Sequence, residues 1–147
     1  CGHEGDPQGC HRRTAMGRAE TERFLLRVQR YGWDLAVEPY ALHWQAPLAA
    51  LHARLLEHAQ LVPGERVLDV ACGTGIVSLE AARSVGPGGH VLGVDLSGRM
   101  VEAAQRGAIA QGLGHVAFAR MDAQALQLAQ ALDAINRERR EVESGMQ

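Results

Sequence analysis

Arg66-Val67-Leu68-Asp69-Val70-Ala71-Cys72-Gly73-Thr74-Gly75 decides how this chain is read. Its first half is a short apolar run rich in β-branched residues, which predicts a fully buried strand. A Gly-Thr-Gly turn follows at once, and Ile76 to Val85 then carries helical character. Strand, glycine turn and helix form the first half of a nucleotide-binding βαβ unit. Gly73 and Gly75 let the backbone turn sharply and approach a ligand closely, because no Cβ stands in the way. The new helix presents free backbone N–H groups at its start, toward that ligand.

Downstream, Gly86-Pro87-Gly88-Gly89 breaks the helix, and His90-Val91-Leu92-Gly93-Val94-Asp95 predicts a second buried strand ending in an acid. Ser97 suits the N-cap of a helix that runs through Met100, Ala103 and Ala104 to about Gln111. Gly112-Leu113-Gly114 stops that helix. Val116-Ala117-Phe118-Ala119 then predicts a third strand, ending near Arg120-Met121-Asp122. Strands alternating with helices at this pitch predict an α/β fold with a parallel sheet and right-handed crossovers.

Upstream, Val62-Pro63-Gly64 closes a helix opened by Pro47, in which Leu48, Leu51, Leu55 and Leu56 make an apolar stripe. Between Ala19 and Tyr31, Phe24, Leu25 and Val28 share one helical face. Pro39 is expected to divide Trp33–Trp44 into two short helical pieces. Residues 18–60 thus read as a helical cap before a domain at 61–135. Five of the six aromatics (Phe24, Tyr31, Trp33, Tyr40 and Trp44) lie in this cap. One reading packs them against the sheet; the other uses Tyr31, Trp33, Tyr40 or Trp44 to wall a ligand pocket.

Bulk properties exclude more than they assign. A chain of 147 residues fits one domain, and 46% hydrophobic with 22% charged residues is ordinary for a globular protein. A net charge of −2 gives no electrostatic reason for a nucleic-acid or anionic-membrane partner. No apolar run approaches the roughly 18 residues of a membrane helix, and Cys1 to Glu22 lacks a signal-peptide pattern. Three widely spaced cysteines make no disulfide framework, so the expected setting is a reducing cytoplasm. Residues 1–17 read as a disordered tail. Cys1, His3, Cys10 and His11 lack the paired spacing of zinc ligands, so no metal is expected.

A G-x-G turn with an acid about 20 residues on is shared by NAD-binding and S-adenosylmethionine-binding domains. Two features separate them. An NAD fingerprint would place glycine or alanine where this chain has Ser78. Asp69, inside the first strand, is poorly explained by core packing, since a buried carboxylate needs partners. The amino group of a methionine moiety would supply one.

VLDVACGTG, GPGGHVLGVDLS and FARMDAQAL, in that order and spacing, resemble the three cofactor motifs of the class I S-adenosylmethionine-dependent methyltransferases. The likeness is nearest to the ubiquinone/menaquinone-biosynthesis C-methyltransferase branch, and RVQRYGWDLAVEPYALHW is similar to its helical cap. The resemblance covers about Leu61 to Leu126. It implies a Rossmann-like doubly wound parallel sheet, S-adenosylmethionine as cofactor and a small-molecule methyl acceptor. By the same resemblance Asp69, Ala71, Gly73 and Gly75 line the methionine end, and Asp95 holds the ribose hydroxyls with Leu96 beside the adenine. Asp122 accepts from the adenine amino group, with Met121 and Ala123 as neighbours. Asp122 also suits a helix N-cap before AQALQLAQAL. Cys72 reads as a small apolar filler, because no base stands near it in the sequence. His43, His52, His58, His90 and His115 read as surface or boundary residues, so no catalytic residue is assigned.

The family pattern stops soon after Leu126. Ala131-Leu132-Asp133-Ala134-Ile135 resembles the start of a fourth strand, but 136–147 (NRERREVESGMQ) is a charged tail. With Cys1 at the start, this predicts a truncated or frame-shifted chain holding about three strands. The first strand would then be an exposed edge open to self-association. Two alternatives stay open beside the methyltransferase: a non-catalytic S-adenosylmethionine-binding fragment, and an NAD-binding oxidoreductase half-domain.

Overall fold

A computed structural model of the chain describes residues 17–129. Two helices lead, α1 (Arg18–His43) and α2 (Gln45–Ala59). Then β1 (Arg66–Val70), α3 (Ile76–Val85), β2 (His90–Asp95), α4 (Gly98–Ala110) and β3 (Val116–Arg120) alternate. The strands form one parallel sheet in the order β1-β2-β3, with Asp69 beside Gly93 and Gly93 beside Phe118. Both crossovers step the same way across the sheet, so right-handed connections place α3 and α4 on one face. Three parallel strands joined by crossover helices make a Rossmann-like arrangement among the described residues.

The core lies between that face and the two helices. Val91, Val116 and Phe118 from the sheet pack with Leu79, Ala82 and Val85 of α3 and with Ala104 and Ala108 of α4. Small residues set the spacing: Ala82 and Ala104 are fully buried. Gly75 is fixed for two reasons. Its φ is +81°, and a Cβ there would stand 2.7 Å from Ala104 Cβ and 3.0 Å from Phe118 Cζ. Gly93 meets the same ring from the sheet side. Ser97 caps α4 as its sequence predicts, its hydroxyl accepting from the Met100 N–H at 3.1 Å. His115 joins a sheet loop to α3 through a 2.7 Å hydrogen bond between its Nε2 and the Ala82 carbonyl.

Three expectations are corrected. The first strand is not the fully buried one that its apolar run alone predicts; it is the edge of the sheet among the described residues, as the expected three-stranded chain predicts, with Leu68 and Val70 about two-fifths exposed. Pro39 does not divide the cap helix, which runs through it to His43. It removes one N–H near the helix C-terminus, while Asp34 and Val37 before it are held against α4 and Tyr40 after it faces a cleft. The break falls instead at Trp44, and Pro47 sits in the first turn of α2, where its missing N–H has no intrahelical partner to lose. The cap aromatics do not pack in the core either, since Phe24, Tyr31, Trp33 and Trp44 are all exposed. α1 and α2 touch each other, α4 and α3 rather than the open sheet face. The N-terminal tail with Cys1, His3, Cys10 and His11, the segment Ala131–Ile135 and the charged tail lie outside the described residues.

Gly93→Ala tests the close approach at the centre of the sheet. Its Cβ would lie 2.5 Å from Phe118 Cδ1 and 2.9 Å from Ser78 Oγ. Overpacking of this kind costs about 2 kcal/mol, so urea unfolding should show a lower midpoint with an unchanged m-value.

Candidate functional site

The C-terminal ends of parallel strands point their carboxyl-end loops to one rim of the sheet, which is where such folds bind ligands. Three acids predicted from sequence, Asp69, Asp95 and Asp122, lie on or just after those ends. The Asp95 carboxylate ties two loops together. Its Oδ2 accepts from the Gly73 N–H at 2.9 Å and its Oδ1 from the Ser97 N–H at 2.9 Å. Each oxygen keeps a further lone pair for a hydroxyl donor. The Met121 N–H donates to the Asp95 carbonyl at 2.8 Å, which brings the end of β3 alongside.

Asp69 points from β1 toward α3. The Ser78 hydroxyl, fully buried, donates to its Oδ2 at 2.6 Å. Serine at the position where an NAD fingerprint has glycine or alanine is therefore the partner of the strand acid. Burial pushes the Asp69 carboxyl above its usual value of 3.8, against the pull of the Ser78 hydroxyl; the Asp95 charge adds to the rise and His52 opposes it. The rim backbone is strained beside it, because Ala71 takes φ +61°. An L-residue with a Cβ pays roughly 1–2 kcal/mol in that region.

A shallow cleft with a cavity volume of about 80 Å³, partly open to solvent, lies over this rim. Asp69, Ala71 and Gly73 line it, joined by Thr74, by Tyr40 from α1 and by His52 from α2. Gly75 does not line it; this glycine serves packing against Ala104 and Phe118 beneath the turn. Leu96 and Met121 are half-buried, and Ala123 is exposed. Asp122 is half-buried and accepts from the Gln124 N–H at 2.9 Å. It closes a turn at 123–125 rather than capping a helix at once. Cys72 is buried beside the turn, and burial pushes its thiol up to about 12, with Asp69 and Asp95 adding to the rise. It is inert filler at neutral pH.

His52 and Thr74 were not legible as site residues. Among the described residues, His52 Nδ1 and Thr74 Oγ1 are buried without hydrogen-bond partners. Of the four aromatics considered as pocket walls, Tyr40 lines the cleft, and it holds Trp33 edge-on at 6.5 Å. Among the described residues no three His, Cys, Asp or Glu side chains cluster as metal ligands, and no helix is long and apolar enough to cross a membrane.

A glycine turn between β1 and α3, an acid ending β2 and a cleft at the strand ends are laid out on a Rossmann-like sheet. Residues 67–137 match a family described as a methyltransferase domain. Aklanonic acid methyltransferase of a Streptomyces species is 41% identical over 71 residues, covering 48% of this chain and 32% of that protein. Demethylmenaquinone methyltransferase of Symbiobacterium thermophilum is 44% identical over 55 residues, covering 37% and 22%. The chain thus spans a third or less of the length of these two relatives. Phosphoethanolamine N-methyltransferase 1 of Haemonchus contortus superposes with a TM-score of 0.62 at 19% identity, over 75% of this chain and 23% of that one, a likeness of fold. The likeness in sequence is thus to a methyltransferase domain, and the likeness in fold is to a Rossmann-like sheet.

The half-buried Asp69 carries a pH signature. A carboxyl whose folded pKa is raised binds its proton more tightly in the folded state, so stability falls as pH climbs from the unfolded toward the folded value. Asp69→Asn keeps an acceptor for Ser78 and removes the charge. Its stability relative to the parent should rise as pH climbs above the ordinary carboxylate range and level off once the raised value is passed, read as urea midpoints; a constant difference would mean that Asp69 does not carry this burial cost.

Proposed function

We propose that this chain forms the cofactor-holding side of an S-adenosylmethionine-dependent methyltransferase that acts on a small organic acceptor. The observation that carries the reading is the Asp95 carboxylate, fixed by the Gly73 and Ser97 N–H groups with lone pairs to spare beside the cleft that Asp69 lines. Bound there, S-adenosylmethionine would supply a methyl carbon already activated on a sulfonium. What the protein adds to such an in-line displacement is alignment and exclusion of water. Asp95 would accept from the ribose hydroxyls, with Leu96 beside the adenine. Asp122, flanked by Met121 and Ala123, would accept from the adenine amino group. Asp69 would face the methionine ammonium, with Ala71 and Gly73 forming the rim. Gly75 would act indirectly, by letting α3 start close under the turn.

The acceptor class rests on relatives named for aklanonic acid and for demethylmenaquinone, which are 41% and 44% identical to this chain over 71 and 55 residues. The second of these supports the menaquinone-biosynthesis branch, and the first supports a different small organic acid. The bulk charge of −2 gives no support for a nucleic-acid acceptor. Exposure of Leu68 and Val70 on the outer strand supports self-association through β1. Sedimentation of the full chain should then show a concentration-dependent dimer, and a monomer at every concentration would remove that element.

Titration calorimetry tests the cofactor assignment directly. The full chain should bind S-adenosylmethionine and give no heat with NADH. Asp95→Asn, which keeps one acceptor oxygen, should weaken binding roughly tenfold, the loss of one charged hydrogen-bond partner. Heat with NADH alone would overturn the methyltransferase reading.

A further inference from the structure

Helix α1 docks by one face and leaves the opposite face bare. Asp34, bonded to the Ser97 hydroxyl, and Val37, the buried residue of the helix, mark the side held against α4. With roughly 3.6 residues per turn, Val28 and Leu35 fall on the far side from Val37. Phe24, Tyr31 and Leu42 fall on that far side too, and these five side chains are between 49% and 76% exposed. The stripe is regular. Phe24, Val28, Tyr31, Leu35, Glu38 and Leu42 alternate steps of four and three residues, the spacing of a coiled-coil seam. Exposed apolar residues scattered singly need no explanation, whereas a line of them over about 27 Å of one helix marks an interaction surface.

We propose that this outer face of α1 pairs antiparallel with the same face of a second copy of the chain. Charge chooses the occupant and its direction. Glu38 stands within the stripe, its side chain 89% exposed and 4.0 Å from Arg99. Arg27 is exposed on the same flank and forms no ion pair among the described residues. In the antiparallel register that sets Phe24 against Leu42 and Tyr31 against Leu35, Arg27 of each copy comes alongside Glu38 of the other. The two-fold axis forms that ion pair twice. A parallel pair would instead set Glu38 against its own copy inside the seam, where like charges repel. Gly32 lies beside the midpoint of the antiparallel register. Glycine inside a helix weakens it relative to alanine, and a Cβ at Gly32 would meet nothing within 4 Å, so packing within the chain does not call for it. Without a Cβ there, a second backbone can come close. The contact uses neither β1 nor the cleft-lining Tyr40.

Sedimentation of the full chain over a concentration series tests the pairing by charge exchange. Arg27→Glu and Glu38→Arg should each weaken the dimer roughly tenfold, because like charges then face one another twice. The two substitutions together should restore it. Tyr31→Glu, which brings a carboxylate into the apolar seam, should leave a monomer at every concentration. All three side chains are exposed in the single chain, so each variant should keep the circular dichroism of the parent. A parent chain that stays monomeric would overturn the pairing. A dimer that none of these variants weakens would overturn it too and leave the β1 edge as the contact. Loss of the dimer in the single charge variants without recovery in the double would overturn the antiparallel register.

Discussion

The Asp95 carboxylate is the contact on which the rim of the sheet depends. Two loops that the chain separates by more than twenty residues meet on its two oxygens, the glycine turn through the Gly73 N–H and the start of α4 through the Ser97 N–H. Charged acceptors make hydrogen bonds roughly twice as strong as neutral ones, and here both donors are backbone groups that would otherwise lie open at loop bends. The Ser97 hydroxyl extends the tie. It accepts from the Met100 N–H and donates to Asp34 of α1 at 2.6 Å, and Asp34 also accepts from the Arg99 N–H at 3.2 Å. Ser97 holds the Asp34 carboxyl below its usual value of 3.8, with Arg99 contributing and burial opposing. The stabilising contribution is thus present above the ordinary carboxylate range and is lost as pH falls through the lowered value. One acid at the end of β2 fixes the turn and α4, and through Ser97 it fixes α1.

Asp69 shows the opposite balance. Its charge is disfavoured by burial and by Asp95, and a single hydroxyl, Ser78, together with the nearby His52, offsets part of that cost. Ala71 adds left-handed strain two residues later. A core chosen for stability alone would carry an apolar residue at Asp69 and glycine at Ala71. Local costs of this kind, concentrated at one rim while the layer beneath is packed with alanine, valine and phenylalanine, mark where a fold serves a ligand.

The order of elements was legible because it is written in short-range patterns. Glycine clusters set the helix ends, β-branched runs set the strands, and Ser97 is a local cap whose acceptor role needs only the next turn. Asp95 and Gly73 could be paired from the motif, although the resemblance implies ribose contact and says nothing of the loop tie. His52 was not legible. A histidine in an alanine- and leucine-rich helix carries no local mark, and its place over Asp69 comes from how α2 packs on α3. The same holds for Pro39 and the cap aromatics. Propensity predicts a break at proline and burial for tryptophan, but contacts on both sides carry α1 through Pro39, and helices packed on helices leave Trp33 and Trp44 largely outside. Ser78 stood in the sequence as a departure from the NAD pattern; its bond to Asp69 gives that departure a cause.

The division of the fold also explains what the relatives have in common. β1, α3, β2, α4 and β3 together supply the turn, the β2 acid and the β3-end acid, and the likeness to a methyltransferase domain runs over residues 67–137. Identity of about two in five with proteins whose names differ in acceptor fits a constraint that does not depend on the acceptor. The cap is where this chain can differ. α1 and α2 reach the rim with Tyr40 and His52 and are anchored there by Asp34 and by contacts with α3 and α4. Side chains delivered from such helices can change without disturbing the turn, because the Asp95 tie is made with backbone N–H groups. The rim is therefore a fixed backbone cradle, flanked by Tyr40 and His52, which the glycine motif does not specify.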